Sequence, residues 1–193
     1  MRRDVTTSIL AIVVFTLMLG LAYPLFTTGV AQVLWPGKAD GSQVELDGRV
    51  VGSRLIGQQF RGLRYFHSRP SATDYSANVT FFDNRGPNSK ELSDLFKKNL
   101  AAYLRRERPF SPGLQAADVP PDAVQITASG VDPHISQANA RIQSRRVAEE
   151  RGLPLERVLQ LVDDNTDGRA LGVLGEPGVN VLELNLALDR VAS

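Results

Sequence analysis

"ILAIVVFTLMLGLAYPLF", Ile9 to Phe26, is the stretch on which the architecture turns. Its 18 residues would rise about 27 Å as a helix, close to a hydrocarbon core of roughly 30 Å, and the flanks extend it. No Asp, Glu, Lys or Arg occurs from Val5 through Gly37. Eleven of the 18 residues are Leu, Ile, Val or Phe, which together favour insertion by roughly 3–6 kcal/mol before the small and polar positions are subtracted. The stretch predicts one transmembrane helix over residues 9–31.

Working outward, Arg2 and Arg3 precede the run and only Lys38 closely follows it. This bias predicts a cytoplasmic N-terminus (residues 1–8), a juxtamembrane linker (32–42) and an extracytoplasmic domain (43–193). Tyr23 and Trp35 carry the amphipathic rings that suit a membrane interface. A cleaved signal peptide ending at Gly29-Val30-Ala31 is the competing account. The distance from Arg3 to Ala31, and an apolar stretch longer than the 7–15 residues of a signal h-region, argue against it.

The 193 residues include no cysteine, so the outer part must hold together through an ordinary core, for which it is long enough. Lys and Arg number 22 against 21 Asp and Glu, a balance that excludes a nucleic-acid binder. "QVELDGRVVG" places Asp47-Gly48 between two β-prone runs, a hairpin signal. Asn78 to Asn88 is rich in turn residues and has no further assignment. Asn88, with Glu91 three residues on, reads as the cap of an amphipathic helix carrying Leu92, Leu95, Phe96, Leu100, Tyr103 and Leu104 as far as Arg108-Pro109. The basic end of that helix complements its dipole. "AVQITAS" (Ala123 to Ser129) reads as a short strand. Ser136 caps a second helix to about Arg151, stopped by Gly152, whose Arg and Glu residues are expected to form a solvated face. Pro154 opens a third helix with Leu155, Val158, Leu159 and Val162 on one stripe. "VNVLELNLAL" (Val179 to Leu188) alternates as a half-buried strand would. The expectation is a single α+β (mixed α/β) domain on one N-terminal transmembrane helix.

The candidate chemistry is thin. Asp163, Asn165 and Asp167 with Gly168 match the opening of a calcium loop, but Leu174 stands where the bidentate Glu belongs, so a polar helix-ending turn is the better reading. His67 and His134 are the only imidazoles, too few for zinc without cysteine. No G-x-S-x-G elbow or Walker loop is present. Ser129, Asp132 and His134 crowd one turn, where Asp132-Pro133 more simply feeds the helix that Ser136 caps. No catalytic residues and no metal ligands are assigned. What remains is a single-span anchor with a neutral outer domain, an accessory subunit or a sensor.

"YPLFTTGVAQVLWP", "GSRLIGQQF", "YFHSRPSA", "GPN", "TASGVDPHIS", "RVAEERGL" and "LGEPGVNVLELNLALD", in order from Tyr23 to Asp189, resemble the KdpC family, the C subunits of the Kdp potassium-transporting P-type ATPase. Ser68 stands where that family usually has Gly. The resemblance implies a non-catalytic subunit of a high-affinity potassium import complex, held in the cell membrane with KdpA, KdpB and KdpF. It further implies stabilisation of the assembly and a catalytic-chaperone role that raises the ATP affinity of KdpB. Another role implied by it sets the outer domain over the potassium entrance of KdpA. ATP is cytoplasmic, so direct nucleotide contact by Gln58 or any other outer residue conflicts with the orientation above; coupling through the complex does not. Tyr65, His67, Arg69, Pro70, Asp132 and His134 are then expected to fix loops or contact partners. Two other classes stay open from the residues alone: an extracytoplasmic ligand-binding or sensor domain, with calcium at Asp163 to Asp167 as its candidate ligand, and a secreted hydrolase using His67 or His134.

Overall fold

The computed structural model describes residues 2–46, 48–76 and 85–191, which form two compact units, Met1–Ser53 and Arg54–Ser193. In the first unit an apolar helix runs unbroken over Arg2–Leu34, exposed along its whole length. Its α-helical parts, α1 (Arg2–Leu17) and α2 (Tyr23–Leu34), are joined by a π-helical turn at Met18–Ala22. There the Tyr23 N–H reaches back to the Met18 carbonyl, just ahead of Pro24. Proline has no N–H to give, and a widened turn absorbs it without breaking the helix. Thr27 Oγ1 donates to the Tyr23 and Pro24 carbonyls at 3.1 and 3.0 Å, the usual way a helix takes up a threonine hydroxyl in an apolar setting.

Trp35 ends the helix, and the expected linker holds a one-turn helix, α3 (Pro36–Ala39). The Asp47-Gly48 hairpin forms: β1 (Gln43–Leu46) pairs antiparallel with β2 (Arg49–Ser53), Leu46 opposite Arg49, with Gly48 at φ +72°. Asp47 itself and the turn-rich stretch over 77–84 lie outside the described residues.

The second unit mixes helices with a small three-stranded sheet. Helix α4 (Lys90–Glu107) is capped by Ser89, whose hydroxyl accepts from Leu92 N at 3.2 Å, rather than by Asn88. Helix α5 (Gln137–Arg151) begins at Ser136 and stops at Gly152, at φ +66°, as its sequence predicts. Helix α6 (Leu155–Asp164) buries Val158, Leu161 and Val162 against α5 and α7 (Val181–Val191). The sheet is antiparallel, with β5 (Gly178–Asn180) between β3 (His134–Ile135) and β4 (Thr166–Asp167). Phe66, Ile135, Val147, Val158, Val162, Val179, Leu184 and Leu188 meet in the core.

Two strand expectations fail. "VNVLELNLAL" supplies only β5 and then coils into α7, because Asn180 Oδ1 accepts from Glu183 N at 3.2 Å and caps the helix. Leu182, Leu184, Leu186 and Leu188 are all buried, as are Val181 and Asn185 between them. A helix buried on nearly every side imitates the alternation of a strand. "AVQITAS" is no strand either: Pro121–Ala123 forms a 3₁₀ turn, and Thr127 alone pairs with Ser71 in an isolated parallel bridge.

Candidate functional site

The residues from Gly57 to Tyr75 contain no helix or extended strand, so their backbone groups need partners from elsewhere. Side chains of the helices supply them. Asn185 in α7 clasps Phe66, accepting from its N–H at 2.9 Å and donating to its carbonyl at 3.0 Å. Gln143 in α5 does the same for His67, at 2.8 and 3.1 Å.

Arg146, one turn further along α5 and fully buried, donates through Nη1 to the carbonyls of Leu63 and Tyr65 and through Nη2 to Gln143 Oε1. Its Nε sits 3.1 Å from both carboxylate oxygens of Glu107, equally buried at the end of α4. Glu107 also accepts from Arg106 Nε at 2.8 Å. Burial works against the Arg146 charge and lowers its pKa, and the Glu107 carboxylate opposes that. Asn139 extends the network to Tyr103 and to Asp122, which also accepts from Ser136.

His67 is held at both nitrogens. Nε2 lies 2.9 Å from the Gly62 carbonyl and Nδ1 lies 3.1 Å from Arg106 Nη1. A guanidinium only donates, so Nδ1 is the acceptor and the ring is neutral with its proton on Nε2. Burial, and next the Arg106 charge, push the His67 pKa down to about 4.

The other expected site residues sit nearby. Tyr65 is flanked by Phe60, with ring centroids 5.8 Å apart, and by the Arg64 and Arg151 guanidinium groups at 5.8 and 5.0 Å. Arg69 pairs with Asp132 at 2.8 Å, and its carbonyl accepts from the Tyr75 hydroxyl. The Pro70 carbonyl accepts from Thr127 N at 2.8 Å. Asp132 also accepts from His134 N at 3.0 Å, and His134 Nε2 lies 3.0 Å from Asp167 Oδ2. Gln58 lends its carbonyl to Ser68 Oγ at 3.3 Å. Gly57 runs so close to the Asp132 carbonyl that a Cβ there would strike it. The sequence therefore brings "GQQF", "YFHSRPSA" and "SGVDPHIS" into one packed loop cluster.

Between this cluster and α4 lies a cavity of about 320 Å³ lined by Phe60, His67, Ser71, Tyr75, Tyr103 and Arg106, among others. Glu107, Gln143, Arg146 and Asn185 were not foreseen. Their signal is a polar stripe at helical spacing, Asn139, Gln143 and Arg146, in a helix with few apolar residues. The expected solvated face of α5 forms at Arg141, Arg145, Glu149 and Glu150, which are exposed, but Arg146 departs from it and is core, together with Asn139, Gln143 and Ser144. The Asp163 to Asp167 turn directs Asp163 to Arg141 at 3.4 Å and Asp167 to His134 and Arg54. Among the described residues no group of three or more His, Cys, Asp or Glu could hold a metal ion.

Against known proteins, residues 5–190 match the family described as KdpC, K+-transporting ATPase, c chain. A potassium-transporting ATPase KdpC subunit from Koribacter versatilis is 46% identical over 98% of this chain and 95% of its own. Those from Myxococcus xanthus and Nitratidesulfovibrio vulgaris are 51% and 50% identical, over 95% and 89% of this chain and 86% of each relative. With near end-to-end matches of this strength, the chain belongs to the KdpC family, the C subunits of the potassium-transporting ATPase.

Proposed function

We propose that this subunit is a non-catalytic, single-pass component of the Kdp pump, with its N-terminus in the cytoplasm and residues 43–193 outside. It stabilises the assembly with KdpA, KdpB and KdpF and raises the ATP affinity of KdpB by biasing the states of the complex, without touching nucleotide. The observation that carries this reading is the helix Arg2–Leu34, free of charged residues after Asp4, with Arg2 and Arg3 in its first turn and the unit Arg54–Ser193 following it in sequence. In this reading Trp35, just past the end of α2, and Tyr23, about 18 Å before it, offer amphipathic rings to the membrane interface. The loop cluster supports a partner-contacting role because Tyr65, His67, Arg69, Pro70, Asp132 and His134 are held rigid by their own chain. A pre-ordered surface loses little entropy when it docks.

The test uses the assembled pump. With this chain present, the ATP concentration for half-maximal hydrolysis falls several-fold relative to the pump prepared without it. A cysteine placed at Asp118 reacts with an impermeant maleimide only from outside, and one at Thr7 only from the cytoplasm. Equal ATP dependence in both preparations would sink the coupling role, and the reverse labelling would sink the orientation.

A further inference from the structure

The charges around the cavity do not balance. Arg106 and Arg146 share one carboxylate, Glu107, and His67 between them is neutral. No second carboxylate pairs with either arginine among the described residues, so these four groups together carry one excess positive charge, and Asp74 on the exposed rim is the other carboxylate of the lining. The excess sits at Arg106, whose side chain is 27% exposed, where an anion supplied from outside can reach it and form a charge-assisted hydrogen bond.

The geometry points to a carboxylate-binding site in this cavity, with Arg106 as its anchor. Arg106 is spoken for on Nε by Glu107 and on one side of Nη1 by His67, and it lies over the Tyr103 ring with 5.3 Å to the centroid. Three contacts hold the guanidinium plane, while Nη2 makes no hydrogen bond to the described residues. A pre-set guanidinium edge is the ordinary receptor for a planar carboxylate. The walls add apolar surface from Phe60, Ala102 and Ala123; the hydroxyls of Ser68 and Ser71 already donate to the carbonyls of Gln58 and Gly130, which leaves Arg106 as the donor. The volume suits a small organic acid or one inserted side chain. Asp74, exposed on the rim, disfavours a dianion such as phosphate and selects for a singly charged group. Such a carboxylate could come from a free monocarboxylate or from an acidic residue of another pump subunit; only the second source rests on the function proposed above.

The probe is sodium benzoate, with chloride and phosphate as comparison anions, added to the full-length chain in mild detergent while its thermal unfolding is followed. The expected result is a midpoint that rises with millimolar benzoate, little with phosphate, and not at all in Arg106→Gln. Arg145→Gln, an exposed arginine elsewhere on α5, keeps the response and controls for general charge loss. If free benzoate has no effect, the same site filled by a partner's carboxylate predicts that Arg106→Gln lowers recovery of the other subunits at least five-fold while Arg145→Gln does not. Absence of both effects, or an equal response to phosphate, overturns the proposal. Neither result of the benzoate arm depends on how the pump couples to ATP.

Discussion

Replacing Arg146 by Met tests whether the buried polar network is the keystone of the outer unit. Met matches much of the side-chain length but supplies no donor. Glu107, fully buried, would keep only Arg106, whose side chain is 27% exposed, and the carbonyls of Leu63 and Tyr65 would lose their donor. Removing one partner of a buried pair costs about 3–5 kcal/mol. Each orphaned buried carbonyl costs about 1–3 kcal/mol where water cannot reach it. Taking about 4 kcal/mol for the stranded carboxylate alone, since Leu63 is an exposed residue, thermal unfolding of the full-length chain in detergent should fall by roughly 10–15 °C. The double variant Glu107→Leu/Arg146→Met removes the stranded carboxylate as well, so it should be less destabilised than the sum of its two single variants by at least about 2 kcal/mol. It should not return to the parent value, because the two carbonyls stay unpaired. A loss below about 1 kcal/mol in Arg146→Met, or strict additivity in the cycle, would refute the network as described.

Three further outcomes follow from the same geometry. His67 has a pKa pushed from 6.5 to about 4, so the folded state excludes a proton that the unfolded chain accepts; its contribution is fully present above pH 6.5 and fades as the pH falls towards 4, by at most about 3 kcal/mol. Urea titrations at pH 7 and pH 4.5 should therefore show a steeper acid loss for the parent than for His67→Gln, and parallel profiles would contradict the neutral, Arg106-bound ring. Gly57→Ala should cost about 2–4 kcal/mol, because its Cβ meets the Asp132 carbonyl while Gly57 N donates to Val131 O at 2.7 Å and holds the two segments together; a denaturation midpoint within error of the parent would show that the loops can part. Asn180→Ala removes the α7 cap and a bond to the Arg54 carbonyl at 2.9 Å, for an expected loss of about 2 kcal/mol, and a circular-dichroism melt unchanged from the parent would deny the cap its role.

The parts of the fold legible in the sequence are those written in local chemistry. The charge-free run, Asp47-Gly48, Ser136 with Gly152, and the stripe of Leu155, Val158 and Val162 each specify their element within a few residues. The failures have one cause. At Val179 to Leu188 burial on all sides erased the period that separates helix from strand, and only the Asn180 and Glu183 pair, three apart, carried the helical signal. On α5 the expected solvated face of Arg and Glu residues holds for Arg141, Arg145, Glu149 and Glu150 but not for Arg146, which with Gln143 meets the backbone of a loop 76 to 83 residues away in sequence.

That long-range pairing explains why the strings that resemble the family come from separate parts of the chain. A segment with no ladder of its own, such as 57–75, can be ordered only if other elements donate to and accept from its backbone. Gln143, Arg146 and Asn185 do so one peptide group at a time, and Asp132 locks the end of the segment through Arg69. Substituting any one of these leaves a buried group unsatisfied, a cost a surface loop would not incur. The histidine, arginine and proline of "YFHSRPSA" are therefore positioned by a core that is itself polar. What such an arrangement gives is a loop surface with a fixed shape, kept in place by groups that face inward, as the proposed partner-contacting role requires.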